Sequence, residues 1–301
     1  MSNEILISKI PKRNYWSLGF GHWGFMLIDT HAHINFKDYK TDGDEVVKRA
    51  LENGVWLINV GAEFETSKRA VEYSKNYPEG VFAAVGLHPI HLTQQKFKEK
   101  DLEFESKAEE FDEKIYRELA SRPKVVAIGE IGMDYYRIKD DDLGIKEKQK
   151  EVFKKQIELA IELELPIIIH CRNAHADVLE ILKSYILHLK SQPKGVIHSF
   201  SGNYKQAREY RKMGFKIAFN GIITFARDYD KVILDTPLKD ILIETDCPYL
   251  TPVPYRGKRN EPLYVIEVAK KLAEIKGISL KEMADQTTKN AKEIFGIKII
   301  D

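Results

Sequence analysis

Short runs rich in Val and Ile, with little alternation of apolar and polar positions, recur along the chain. They predict strands buried on both faces at 27–29, 55–60, 81–85, 125–128, 167–169, 196–197, 215–218 and 241–243. Between and after them apolar residues fall at helical spacing, predicting amphipathic helices over 45–52, 65–76, 146–163, 176–189, 204–213, 262–275 and 280–295. Strand and helix alternate with short connections, and no Gly-rich phosphate turn follows the first strand. The fold class expected is therefore α/β, a closed (β/α)8 TIM barrel rather than an open doubly wound sheet. One connection is long: the charged stretch 92–122 reads as a solvated helix or helix pair.

Seven of the apolar runs stop at polar residues suited to a metal or a substrate: His31 and His33, His88, Glu130, His170, His198, Asn220 and Asp246. In a barrel the carboxyl ends of the strands share one mouth, so these residues converge although they are far apart in sequence. His31 and His33 are two apart, which on an extended strand puts both rings on one face. That pair alone reads equally well as two polar residues leaving a strand. Together with Glu130, His170, His198 and Asp246 it makes four imidazoles and two carboxylates, more than one tetrahedral ion uses. Two divalent ions are expected, with Glu130 bridging, His31, His33 and Asp246 on one ion, and His170 and His198 on the other. Such a pair holds hydroxide and neutralises charge on a phosphoryl or carbonyl oxygen, which makes hydrolysis the reaction class. Mixed nitrogen and oxygen donors leave Mg2+, Mn2+, Zn2+, iron and nickel open.

Composition narrows the picture. With 301 residues, 43% hydrophobic and 31% charged, the chain can bury a large core, and disorder is excluded; the charge excess hints at heat tolerance. A net charge of +1 argues against a uniformly basic surface that coats long nucleic acid, so any such contact is local. Cys171 and Cys247 are too few for a disulfide framework, fit a reducing cytoplasm, and read as small packing residues rather than catalysts. No apolar run is long enough to span a bilayer. Residues 1–25 lack a signal-peptide core and read as an appended segment outside the fold, leaving one hydrolase domain over 26–301.

Six blocks then become specific: DTHAHINF, GLHP, IGEIGMDYY, HCRNAHAD, HSFSG and ETDCPYLTPVPYRGKRNEP. Together they resemble the TatD family of metal-dependent deoxyribonucleases, within the amidohydrolase-like TIM barrels, over residues 26–296. The resemblance implies two divalent metals on His31, His33, Glu130, His170, His198 and Asp246. It also implies 3′–5′ exodeoxyribonuclease activity on DNA ends or short oligonucleotides, with metal-held hydroxide attacking phosphorus and Asp246 orienting it and taking its proton. Glu130 and Asp246 are the expected catalytic residues, and no obligate protein partner or membrane is implied. Met133 stands where the family usually has Leu, a change that touches no ligand. Related amidohydrolases use a carboxylated lysine where this chain has Glu130, which favours the deoxyribonuclease branch.

Other residues are candidates for substrate contact. His88 is placed to meet a phosphate or leaving group, or else caps a turn. Asp134 and Tyr135 follow Glu130 and are placed to line the pocket, Tyr135 as a stacking face for a base; Tyr136 is equally a core residue. Arg172 lies two past His170, and Arg256, Lys258 and Arg259 form a basic cluster suited to phosphate oxygens. Asn260 and Glu261 read as caps of the next helix, with Pro262 in its first turn. His22, His91, His175 and His188 are expected at the surface, His175 with a supporting hydrogen bond as an option. Two other functions share this ligand set: hydrolysis of a carboxylic ester, amide or lactone, and a non-catalytic, metal-loaded scaffold. Turnover of an uncharged ester left untouched by mutating Arg256 and Arg259 to Ala, with nuclease activity never present, would mark the first, and a folded, metal-loaded but inert protein would mark the second.

Overall fold

The structure, a computed structural model, describes residues 23–298 except 100–101, 137, 140–141 and 189–191. Its strands in chain order are β1 (Leu27–Ala32), β2 (Val55–Val60), β3 (Val81–Val85), β4 (Gln95–Glu99), β5 (Leu102–Ser106), β6 (Val125–Asp134), β7 (Ile167–Arg172), β8 (Gly195–Ile197), β9 (Lys216–Phe219) and β10 (Ile241–Ile243). Eight of them, all but β4 and β5, form one parallel sheet in the order β1-β2-β3-β6-β7-β8-β9-β10. The helices are α1 (Gly43–Glu52), α2 (Phe64–Asn76), α3 (Glu113–Ala120), α4 (Leu143–Glu162), α5 (His175–His188), α6 (Tyr204–Lys212), α7 (Asp230–Asp235), α8 (Val265–Lys276) and α9 (Leu280–Phe295).

Successive strand residues point to opposite faces, and the two faces bury different layers. One inward residue from each barrel strand, Ile28, Ile58, Ala84, Val126, Ile168, Val196, Ala218 and Leu242, meets in a central cluster. Ala291, Ile294 and Phe295 of α9 join that cluster, so the last helix stops the amino-terminal mouth. It is fixed there by Thr288 Oγ1, which donates to the Met26 carbonyl at 2.8 Å, and by Asn290 Nδ2, which donates to Leu238 and Ile241. The outward residues, Leu27, Val55, Ala83, Val125, Ile167, Ile197, Ile217 and Ile241 among them, pack under the helices.

The seam between β10 and β1 is made just past the strand ends. Asp246 N donates to the His31 carbonyl and His33 N to the Cys247 carbonyl, both at 2.9 Å, and Ala32 and Cys247 form a parallel bridge. Asp29, fully buried, accepts from Thr245 N at 2.9 Å and from Thr245 Oγ1. Burial pushes its carboxyl up to about 8. The nearly closed eight-stranded barrel is thus the architecture expected from the pattern.

Several local expectations are corrected. The stretch 92–122 is not a helix pair: among its described residues the one α-helix is Glu113–Ala120, and β4 and β5 pair antiparallel. Its register sets Lys96 opposite Glu105, Phe97 opposite Phe104 and Lys98 opposite Glu103. Apolar and charged residues alternate there at period two, which suits a strand and not a helix. β6 continues past residue 128 to Asp134 through a cis Gly129–Glu130 peptide, because the backbone pairs with β7 regardless of the polar side chains. At the amino terminus, Met1 to His22 of the segment 1–25 lie outside the described residues. Phe25 is buried in the outer core and Trp23 stacks on it at 6.1 Å, so the packed chain begins before Met26.

Candidate metal centre

The ligand-type residues sit in or just beyond the carboxyl-terminal halves of barrel strands. His31 is the last residue but one of β1 and His33 follows the strand, and their Nε2 atoms approach to 3.1 Å. His33 Nδ1 lies 2.8 Å from the Val60 carbonyl, which accepts a hydrogen bond from Nδ1–H and so leaves the lone pair on Nε2 of the neutral ring. Glu130 lies mid-β6, between Gly129 and Gly132. Gly132 has φ 144, and a Cβ there would stand 2.0 Å from the His170 carbonyl oxygen. Only glycine lets β6 and β7 close at this point.

Glu130 is the hub. Its Oε2 faces the β1 pair, 3.3 Å from His31 Nε2 and 3.9 Å from His33 Nε2. Its Oε1 faces the other side, 2.8 Å from His170 Nδ1, 3.5 Å from His88 Nε2 and 3.7 Å from His198 Nε2. Asp246, at the end of the β10 segment with φ 57, presents Oδ1 3.4 Å from His33 Nε2, 3.9 Å from His31 Nε2 and 3.8 Å from His198 Nε2. Lone pairs of nitrogen and carboxylate oxygen converging in this way repel unless a cation stands among them. Bonds of about 2.1 Å in a tetrahedron separate ligand atoms by about 3.4 Å. The distances around His31, His33, Glu130 and Asp246 fall near that value, so the donor set fits a divalent ion. Among the described residues three groupings bring ligand atoms within 4.8 Å of one another: His31 with His33 and Asp246, His31 with His198 and Glu244, and His88 with Glu130 and His170.

The charges respond to this crowding. Burial alone would raise Glu130, yet the surrounding histidines hold its carboxyl well below the usual range. Burial would lower His170, yet Asp134 and Glu130 outweigh it and lift the imidazole to about 9. Asp134 Oδ2 backs His170 Nε2 at 3.2 Å, so this imidazole is clasped by a carboxylate at each nitrogen. His88 differs: Nδ1 accepts from Ile90 N at 3.0 Å, which puts the proton on Nε2, toward Glu130. Burial lowers it to about 3. His88 thus caps the turn after β3 and also faces the centre.

Glu244 was not singled out in the sequence, and it is 1% exposed. Its Oε1 accepts from Ser199 N at 2.7 Å and stands 2.9 Å from His198 Nδ1, aiming Nε2 inward. Glu244 and Asp246 are two apart at a strand end, the same spacing that marked His31 and His33. Asn220 lies outside this group; it donates to Ser199 Oγ at 2.8 Å and caps the following turn.

At the rim the residues divide. Tyr135 donates its hydroxyl to Asp177 at 2.7 Å and packs against the core. Tyr136, expected equally in the core, is 50% exposed, and the Arg172 guanidinium carbon lies over its ring, 3.5 Å from the centroid. Arg256 stacks over Phe225 at 4.1 Å and donates to the Thr251 carbonyl at 2.9 Å. Arg259 is engaged within the fold, paired through both Nη atoms with Asp42. Lys258 stays exposed beside Tyr255. Asn260 is buried and ties Thr245 to Tyr249 through Nδ2. Two surface expectations are corrected: His91 and His175 are 7% and 8% exposed. His175 Nδ1 contacts Tyr210 Oη at 3.0 Å and Cys171 Sγ at 3.2 Å. His22 and the His188 side chain lie outside what is described. Cys171 and Cys247 are buried free thiols pushed up to about 12 by burial, consistent with packing.

The comparisons with known proteins agree with this arrangement. The family model described as TatD related DNase matches residues 28–296. An uncharacterized metal-dependent hydrolase of Bacillus subtilis, YabD, is 43% identical over 275 residues, covering 90% of this chain and 100% of that one. The crystal structure of YJJV, a TatD homolog from Escherichia coli, matches with a TM-score of 0.74 at 31% identity, over 90% of this chain and 98% of that one. A hydrolase TatD family protein from Entamoeba histolytica shares the fold, with a TM-score of 0.71 at 24% identity over 90% and 98% of the two chains. The barrel, the carboxylate-centred cluster at its carboxyl end and these matches agree: the chain belongs to the TatD family of metal-dependent hydrolases.

Proposed function

We propose that the protein hydrolyses phosphodiester bonds at DNA ends, as a 3′–5′ exodeoxyribonuclease holding two divalent ions around Glu130. The observation that carries this reading is the placement of the Glu130 carboxylate, with one oxygen toward His31 and His33 and the other toward His170 and His198. That divides the donors into two sets sharing one bridge. Bound ions would supply Lewis acidity and a water acidic enough to lose its proton near neutral pH.

The protein's own groups complete the chemistry. Asp246 Oδ1 faces the histidines of both sets and is the proton acceptor for attacking water. His88 presents its Nε2 proton to a phosphoryl or leaving-group oxygen. Arg172 and Arg256 meet phosphate at the rim, whereas Arg259 is committed to Asp42. A net charge of +1 suits a pocket for one strand end better than a groove tracking duplex. The 3′ direction rests on the family likeness, and two unpaired cysteines suit the cytoplasm.

The test uses a single-stranded oligonucleotide labelled at its 5′ end. Chelated protein should be inactive and regain activity with Mn2+ or Mg2+, giving a ladder shortened from the 3′ end. Glu130→Ala should lower the rate by about a thousandfold or more. A folded, ion-loaded protein that leaves every oligonucleotide intact would refute the proposal, and shortening from the 5′ end would refute the polarity.

A further inference from the structure

We infer that the Arg172–Tyr136 stack is a subsite for the nucleobase beside the scissile phosphodiester, selecting ends whose last base is unstacked; this rests on the nuclease reading above. The stack is joined directly to the centre. Asp134 Oδ1 accepts from Tyr136 N at 2.9 Å, while its Oδ2 contacts His170 Nε2 at 3.2 Å. One carboxylate thus fixes both the backbone beneath the exposed ring and the imidazole against Glu130. Arg172 is placed by the strand itself. It pairs with Asp134 in the β6–β7 register, its carbonyl accepts from Tyr135 N at 2.8 Å, and it stands two residues beyond His170, on the same face of β7.

Three features make this a recognition surface rather than packing. Tyr136 is 50% exposed, a large aromatic ring left in water at the mouth. Among the described residues no carboxylate pairs with Arg172, unlike Arg259 and Arg208, which are held by Asp42 and Asp235. The guanidinium carbon stands 3.5 Å from the ring centroid, a separation that fits face-on stacking and not an edge-on approach; in that stack the N–H edge turns outward to phosphate oxygens while the plane extends the π surface. A base in a duplex is stacked and paired and cannot offer a face to this surface, whereas a frayed or single-stranded terminal base can. The arrangement reads no base identity, since every base has a face to stack. Tyr136 and Arg172 therefore select strand state rather than sequence.

The test compares two single-stranded oligonucleotides that differ only in the 3′-terminal residue, one carrying a base and the other a tetrahydrofuran abasic residue. The wild-type protein loaded with Mn2+ should favour the base-bearing end in kcat/KM by about tenfold, the effect of one lost stack. Most of that preference should lie in KM. Tyr136→Ala should shrink the preference to about one, Tyr136→Phe should retain it, and Arg172→Lys should weaken binding of both substrates by losing the planar fork. Equal cleavage of the two ends by the wild type, or an undiminished preference in a folded Tyr136→Ala protein, would overturn the subsite. If neither oligonucleotide is cleaved while bis(p-nitrophenyl) phosphate is, the DNA reading fails first and the subsite falls with it. That outcome is distinct from the previous two.

Discussion

His198 is held from both ends, by Glu244 at Nδ1 and by Glu130 and Asp246 around Nε2. Supporting carboxylates of this kind fix the tautomer and direction of a ligand ring. Glu244→Gln should therefore lower ion affinity or turnover by about ten- to a hundredfold while the fold persists, as read by ion titration and circular dichroism. The ligand-type residues themselves were legible because each ends an apolar run. Glu244 was not, since it lies within the same short ETD block as Asp246, and only the period-two spacing marks both as facing one side. His175 was misplaced at the surface because a lone histidine looks polar. Its neighbours at helical spacing, Val178, Leu179 and Leu182, are all buried and mark the same face. Burial holds the His175 imidazole down at about 4. The folded protein resists protonating it while the unfolded chain takes a proton near 6.5. This part of the stability is therefore full above pH 6.5 and declines between 6.5 and about 4. Wild-type protein should lose about 2 kcal/mol more than His175→Gln between pH 7.5 and pH 5, measured by urea unfolding.

At the scale of elements, β6 shows where pattern reading stops. Its first four residues, Val125 to Ile128, are apolar and predict a strand; the next six carry the site and look like a loop, although their backbone continues pairing with β7. The paired strands β4 and β5 show the converse, a charge-rich stretch whose period-two alternation outweighs its helix-like composition. Gly132 is the element-scale weak point, because φ 144 and a carbonyl at 2.0 Å leave no room for a side chain. Gly132→Ala should cost about 3 kcal/mol or more and separate Glu130 from His170, visible as a lowered melting temperature with loss of ion binding. α9 contributes at the opposite end of the barrel. Its Ala291, Ile294 and Phe295 complete the inner cluster, and burying Ile and Phe side chains is worth roughly 1.5–3 kcal/mol each.

For the whole molecule, the barrel was legible because strand and helix alternate with few interruptions, while the amino-terminal boundary was not, since aromatic residues in a Gly-rich segment carry no periodicity. Phe25 and Trp23 pack on the outer core, so a cut after residue 25 is not expected to be neutral. Protein lacking 1–25 should melt lower than the full chain, as read by differential scanning calorimetry. The seam between β10 and β1 has a wider consequence. Its backbone bonds are made by His31, His33, Asp246 and Cys247, so three of the four residues stitching the two ends of the sheet also form a side-chain grouping that could hold a cation. An ion held there would act as a rivet across the least continuous join of the cylinder, and its chelation should loosen the whole shell along that line. Amide hydrogens of His33 and Asp246 should exchange sooner than those of β2 or β7, and the thermal midpoint should climb with Mn2+ concentration as ligand linkage requires.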